Sequence, residues 1–438
     1  MSKTEKQRVA VIGAGWAGCA AAVELAANGC RVSLFESRQI PGGRARRIVL
    51  DGKILDNGQH IFLGAYTESL RMMQKVGVNP ANAFLRLPLQ MCYPPQTKGM
   101  SLAAAALPAP LHLVSALVRA SGLEMADKMA LARFFSGARR MKWKLHEDCS
   151  VVTLLARLDQ TARLYRLLWR PLCIAALNTL PEQASAQVFL SILRDSIGSK
   201  RTASDMLIPR MDLSALFPDK ALAFVRQRGG KVIEGKSVRS VRQTPLGWQV
   251  DGTDFDAVVV ATQADAASAL LGRQADMRAF EQLAFEPIHT CYLGYTPDVK
   301  LPRAFFALED DASSGQWGQF VFDRGSLDRA SAGILAVVIS ASSSLSGISR
   351  QELETALARQ LAAAFNMPVL AAPLWTQTVS EQQAAFICKP ALVRPETQSG
   401  SPGLVFAGDY IRSNYPGTIE SAVQSGIRAA ACVLARNW

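Results

Sequence analysis

The opening of the chain restricts its fold more than any other part. Val9, Ala10, Val11 and Ile12 form a short apolar run that breaks into Gly13-Ala14-Gly15-Trp16-Ala17-Gly18. An alanine-rich stretch over 19–28 follows, and then a second apolar run closed by Glu36. This order predicts a strand, a glycine turn, a helix, a strand and an acid. Such a unit builds a pocket for an adenine dinucleotide: Gly13 permits the tight turn, Gly15 lets a pyrophosphate approach the backbone, and Gly18 lets the helix pack closely on the strand. The helix then turns its N-terminal amides toward the phosphates. Glu36, 23 residues after Gly13, stands where a carboxylate binds ribose hydroxyls. A glycine triplet alone is weak evidence; the strand before it, the helix after it and the acid beyond it give it weight.

A chain of 438 residues exceeds the size at which single cores stop growing, so two domains are expected. A hydrophobic share of 49% against 19% charged residues excludes a disordered chain. No uninterrupted apolar run reaches the roughly 18 residues of a membrane span; the nearest, 101–118, is broken by Pro108, Pro110 and His112. The polar opening Met1-Ser2-Lys3-Thr4-Glu5-Lys6 has no apolar core of a leader peptide. Eight scattered cysteines include no CxxC pair and no histidine at ligand spacing. They predict no metal site and no disulfide framework, and they fit buried thiols in a reducing cytoplasm. The formal charge of +12 is uneven: between Lys128 and Arg170 ten Lys or Arg face three acids, interleaved with Phe134, Phe135, Trp143, Leu145, Leu164, Tyr165, Leu168 and Trp169. That stretch reads either as a surface for an anionic bilayer or as a solvated basic helix face with a buried apolar side. No motif for nucleic acid accompanies it.

Periodicity and punctuation predict an α/β protein. A Rossmann-type dinucleotide-binding domain is drawn discontinuously from 1–70, 205–262 and 398–438. A mixed α+β substrate-binding domain is inserted as 71–204 and 263–397, and its 100–170 part is helical and membrane-proximal. Residues 71–200 read as mostly helical. Helices are expected at 213–228, 350–365 and 418–436, and strands at 231–233, 237–241, 247–250, 289–295, 316–322 and 334–340. The run 255–262 reads as a buried parallel strand, and 403–409 as a strand ending in Asp409.

The glycine turn, the loop Pro41-Gly42-Gly43-Arg44, the late Phe406-Ala407-Gly408-Asp409 segment and the terminal helix together resemble the flavin-dependent amine oxidase and phytoene desaturase superfamily. The resemblance implies FAD rather than NAD as cofactor. It implies that Glu36 holds the adenosine ribose, and that Gly42, Gly43 and Arg44 wrap the pyrophosphate and flavin side, with Arg44 a fixed cation near phosphate. Val238 would give adenine a backbone contact, and Asp409 would bind the pyrophosphate or ribityl region. Gly417, Thr418 and Ile419 would start the last helix beneath the isoalloxazine, its positive end aimed at the flavin pyrimidine.

Two further segments narrow the resemblance: Asp56-Asn57-Gly58-Gln59-His60, and Tyr415-Pro416-Gly417-Thr418-Ile419-Glu420-Ser421-Ala422. With them the whole chain is similar to the squalene-associated desaturase-like proteins, the hydroxysqualene dehydroxylases of bacterial squalene and hopanoid synthesis. This implies reductive removal of a hydroxyl from an allylic carbon, an isoprenoid lipid substrate and an external electron donor for the flavin. The basic-aromatic stretch between Lys128 and Arg170, for its part, favours a peripheral place on the inner, cytoplasmic face of the membrane. His60 is then a candidate acid or flavin-site hydrogen-bond donor, or simply orders the 56–58 loop. Tyr415 would lend a π-face to an allylic cation or pack on the flavin, and Glu420 is read as a structural acid in the first helical turn. The nearest alternative activities are a carotenoid desaturase or isomerase and a flavin amine oxidase with non-covalent FAD, since no cysteine lies between Asp409 and Thr418. A non-enzymatic FAD-binding or redox-sensing protein would share the cofactor motifs.

Overall fold

A computed structural model of the chain describes residues 6–109, 111–197 and 200–436. Residues 1–5, Pro110, 198–199 and 437–438 lie outside the described residues, and with them the start of the expected dinucleotide-binding segment 1–70, the end of 398–438 and short stretches of 71–204.

The apolar runs assemble into a five-stranded parallel sheet in the order Lys231–Ile233, Arg31–Phe35, Arg8–Ile12, Ala257–Val260 and Leu404–Phe406. Neighbouring strands thus come from the start, middle and end of the chain. Val9, Ala10, Val11, Val258, Val259, Leu404 and Val405 are fully buried, as a sheet covered on both faces requires. One face carries the helix Trp16–Ala27, and the closing helix Ile419–Ala435 crosses it. The crossing is close because a Cβ at Gly426 would lie 2.9 Å from the Ala17 carbonyl carbon and 3.1 Å from the Ala20 side chain. Small residues therefore set where the last helix begins relative to the glycine turn.

A second, antiparallel sheet runs Phe305–Ala307, Phe320–Asp323, Ile334–Ile339, Phe285–Gly294, Trp375–Phe386. It packs on the helix Arg350–Phe365, whose Leu353, Leu357 and Leu361 meet Val321, Leu335 and Val337. Ser349 and Glu352 cap that helix reciprocally. The expected helix over 213–228 is two helices, Leu213–Leu216 and Pro218–Gln227, because Pro218 cannot donate into the first and starts the second instead.

The middle of the chain differs from its sequence reading in two ways. After the helices Thr67–Lys75 and Pro80–Ala83 it runs through strands Phe84–Leu87, Gln90–Cys92 and Ser101–Ala103, and becomes mostly helical only from Leu111. The aromatic half of the basic stretch also turns inward. Phe134, Trp143, Leu164, Leu168 and Trp169 are buried, with the Phe134 and Trp169 ring centroids 4.2 Å apart. Arg133, Arg139, Arg140, Lys142 and Lys144 remain exposed. Those residues make a solvated basic face over a core, and the interleaved basic-aromatic surface does not form. Among the described residues no helix is long and apolar enough to cross a membrane, and no group of three His, Cys, Asp or Glu is placed to hold a metal. All eight cysteines are free thiols.

Candidate active site

The site is built around the first glycine turn. Gly13 has φ of +101°, and a Cβ there would lie 2.6 Å from the Ala261 carbonyl oxygen, so only glycine fits. Gly15 is the N-cap of the helix Trp16–Ala27 and offers its first amides no side-chain acceptor, which leaves them for an anion. Glu36 is buried at the lip of the turn, its Oε2 accepting from the Ala14 amide at 2.8 Å and its Oε1 from the Arg38 amide at 2.9 Å. The Lys236 amide donates to the Glu36 carbonyl at 3.1 Å, which brings 236–238 alongside; Val238 is half-buried there and packs on the core.

A second glycine turn faces the first. Gly42 bridges Gly15, its amide donates to the Ala14 carbonyl at 2.9 Å, and a Cβ at Gly43 would lie 3.2 Å from the Gly15 Cα. Side chains on either turn would fill the cradle between them. Arg44, next along, is not a free cation. It pairs with Asp409 and donates to the carbonyls of Ala384 (2.7 Å) and Gln383 (3.2 Å). Two residues expected to act separately on the phosphates therefore form one pair. A Cβ at Gly417 would lie 2.9 Å from the Asp409 Oδ2, so the start of the last helix abuts the same pair. Thr418 caps that helix, its Oγ1 accepting from the Ser421 amide at 3.1 Å, and Ile419 is its first residue. Glu420 is fully buried and accepts from the amides of Glu68 (3.0 Å) and Ser69 (2.9 Å), tying the last helix to the start of Thr67–Lys75.

The loop between Asp409 and Thr418 is held by a residue that sequence reasoning missed. Arg394 is buried and donates to the carbonyls of Asp409 (2.6 Å), Tyr410 (3.1 Å), Ile411 (2.6 Å), Ser413 (3.1 Å) and Tyr415 (2.5 Å). Its guanidinium lies 4.5 Å from the centre of the Phe386 ring. Burial lowers its pKa to about 10, which still leaves a cation at neutral pH. The Tyr415 hydroxyl donates to Asp195 on the helix Ala186–Ser196. Burial, then this carboxylate, pushes the phenol well above its ordinary pKa.

The seam between the two sheets carries the remaining candidates. His60 Nδ1 lies 2.9 Å from the Gly58 carbonyl. A carbonyl only accepts, so Nδ1 carries the proton. Burial, and to a smaller extent the Arg44 charge, lowers the His60 pKa. The ring is then neutral, with Nε2 an acceptor, an arrangement suited to ordering the loop or receiving a hydrogen bond rather than giving a proton. Beside it, buried Asp56 accepts from the Leu213 amide at 2.9 Å and faces Arg324 at 3.3 Å. Arg324 also donates to Gln59 Oε1 at 3.0 Å, and the Tyr292 hydroxyl donates to the Asp56 carbonyl at 2.8 Å. Desolvation raises the Asp56 pKa to about 6 in spite of Arg324.

Three buried polar atoms on this seam have no partner among the described residues: Thr290 Oγ1, Arg324 Nε and Gln383 Oε1. Buried polar atoms are normally paired; of these residues, Gln383 meets Arg44 through its carbonyl, Thr290 and His60 both lie beside Gly58, and Arg324 meets Asp56 and Gln59. The donor set, the cradle and the orphaned atoms fit a flavin dinucleotide with a substrate against it. Thr290, Tyr292, Arg324 and Gln383 lie far in sequence from the motifs they join, and only the strand signal over 289–295 hinted at the first two.

Asp56 gives a pH test. The folded protein holds this proton up to about pH 6, whereas an unfolded chain releases it near the ordinary value of 3.8. Stability from this group is therefore full below about pH 4, declines as pH rises to about 6, and stays lower above; the span corresponds to roughly 3 kcal/mol. Thermal melts from pH 4 to 7 are expected to show that decline in the parent relative to Asp56→Asn. A constant difference between the two proteins would show that Asp56 ionises normally.

The site thus defines the class. Over residues 16–434 the chain matches the model of the flavin containing amine oxidoreductases, and it belongs to that family. It is an FAD-dependent oxidoreductase. The chain is similar to the hydroxysqualene dehydroxylase of Rhodopseudomonas palustris, 29% identical with 99% of each chain covered. It is 35% identical to the zeta-carotene desaturase of Zea mays, over 28% of this chain and 22% of that one. Its fold superposes on an oxidoreductase from Methanosarcina mazei with a TM-score of 0.74 and 14% identity, covering 97% of this chain and 100% of the other.

Proposed function

We propose that this enzyme removes the hydroxyl of hydroxysqualene reductively, giving squalene and water, at the cytoplasmic face of an anionic membrane. The observation that carries the reading is end-to-end similarity to a hydroxysqualene dehydroxylase. Partial similarity to a carotene desaturase fits a shared isoprenoid substrate class but spans little of the chain. Glu36 and the two glycine turns would hold FAD, and its form reduced by an external donor, FADH2, would supply both the hydride for the new C–H bond and the proton with which the hydroxyl leaves as water, so that R–OH and FADH2 give R–H, water and FAD. The chain's own part is to hold and orient. The buried Arg324 Nε and Thr290 hydroxyl are the donors that the seam offers to a leaving hydroxyl, and the apolar packing around them keeps water out. His60 orders the loop beneath, and Tyr415 locks the last loop to the substrate-side helices through Asp195.

The test is to incubate the FAD-loaded protein with hydroxysqualene and a flavin reductant and to look for squalene by mass spectrometry. Squalene formation is expected, with a drop of at least tenfold in Arg324→Met. Oxidation of phytoene with an electron acceptor and no squalene would move the enzyme to the carotenoid desaturases. Turnover of a simple amine with peroxide release would move it to the amine oxidases.

A further inference from the structure

Two helices of the middle region bury one face and leave a second apolar face in water. On Leu111–Arg119, His112 and Ala116 are buried, while Leu111, Val114 and Val118 are 54%, 52% and 68% exposed. On Met125–Arg140, Ala130, Leu131 and Phe134 are buried, while Met125 and Met129 are 71% and 57% exposed. The spacings i, i+3, i+7 and i, i+4 put each set on one side of its helix. Lys128 Nζ donates to the Val118 carbonyl at 3.1 Å, which joins the end of the first helix to the start of the second. Each helix already has its core face, and the outward row is surplus to folding. Exposed apolar patches of this kind mark interaction surfaces.

Charge selects the partner. Residues 107–142 hold six Lys or Arg and two acids. Both acids are engaged: Glu124 pairs with Arg163 at 2.8 Å, and buried Asp127 accepts from the Thr161 hydroxyl and faces Arg163 at 3.6 Å. Arg119 and Arg133 stand exposed on the two helices. A second copy of the chain would bring this positive rim against itself, whereas an anionic bilayer complements it and accepts the aliphatic row.

We propose that these two helices dock the protein on an anionic lipid surface through Leu111, Val114, Val118, Met125 and Met129, rimmed by Arg119 and Arg133. The inference rests on the membrane location proposed above and names the surface that makes it. It replaces the basic-aromatic stretch after Lys128, whose rings are core.

Vesicle flotation tests it. The FAD-loaded protein is expected to float with phosphatidylcholine vesicles containing phosphatidylglycerol at low salt, and at least tenfold less with phosphatidylcholine alone. The variant Val114→Ser/Val118→Ser/Met125→Ser should lose at least tenfold in partitioning while keeping its flavin absorbance and its melting temperature. Arg119→Gln/Arg133→Gln should lose the preference for the anionic vesicles. Flotation of the serine variant equal to the parent, or no flotation of the parent on anionic vesicles, overturns the proposal. So does light scattering that shows a parent dimer which the serine variant dissociates, since the face would then belong to a second copy. Turnover of detergent-dispersed hydroxysqualene is scored separately. Its failure alongside intact vesicle binding removes the substrate reading and leaves the surface, and the reverse result removes the surface alone.

Discussion

Gly18→Ala is expected to purify without flavin and to melt well below the parent. A methyl group at Gly18 overlaps the Gly13 carbonyl oxygen outright, and lies 3.0 Å from the Gly13 carbonyl carbon and 3.2 Å from the Ala261 side chain. None of these can swing away as the end of a long side chain could. The helix Trp16–Ala27 must retreat from the sheet, and it is pinned from behind by the closing helix at Ala17 and Ala20. Overpacking of this kind costs about 1–3 kcal/mol and occasionally more. The functional cost is larger than the stability cost, because retreat withdraws the amides after Gly15 and breaks the pairing of Gly15 with Gly42. Gly29→Ala is the control. That glycine has φ of +86° with nothing within 4 Å, so the substitution is expected to cost about 1 kcal/mol in the backbone and leave flavin bound. Flavin absorbance after gel filtration, read beside the melting temperature, separates the two. Stoichiometric flavin in Gly18→Ala would show that the helix N-terminus does not carry the cofactor.

The contrast between these glycines also shows what was legible in the chain. The dinucleotide sheet was readable because strands covered on both faces must be continuously apolar, and Val9 to Ile12 or Val258 to Val260 have no other use. The strand Trp375–Phe386 was not readable. Its sequence is largely polar and half-exposed, yet it supplies the carbonyls of Gln383 and Ala384 that receive Arg44. A backbone carbonyl has no sequence signature. Arg324 reaches Asp56 across 268 residues, and no local pattern encodes that meeting. The ring spacing over 134–169 correctly announced an apolar helix face but could not say which way it turned. The structure turns it inward because Trp169 and Phe189 complete a cluster there. The surplus face lies earlier, where aliphatic residues on short helices give a weaker signal than aromatics do.

Arg394 is the sharpest case of a residue whose importance lies wholly in what it meets, and its removal is expected to be the most damaging single change outside the glycine turns. Five carbonyls between Asp409 and Tyr415 converge on one guanidinium. An isolated buried acceptor left without a donor costs about 1–3 kcal/mol. Five do not add, because the carbonyls toward Ser413, nearer the surface, would be rehydrated. Loss of a buried hydrogen-bonded charge as a unit costs about 3–5 kcal/mol, a large part of the roughly 5–15 kcal/mol by which folded proteins exceed their unfolded chains. In Arg394→Ala the loop is expected to loosen, Asp409 to lose its fixed position against Arg44 and Gly417, and flavin to be lost on gel filtration. Arg394→Lys keeps the charge but offers three donors on a point in place of a planar fork. It cannot reach carbonyls on both sides at once, so partial flavin retention is expected. Added FAD discriminates a site defect from a general one: if Arg394 acts by shaping the loop, excess FAD should raise the melting temperature of the lysine protein toward that of the parent, since ligand binding to the folded form alone drives the equilibrium back. Full flavin retention in the alanine protein would mean that the capped helix start, held by Thr418 and by Glu420 on Ser69, positions the ring without the loop.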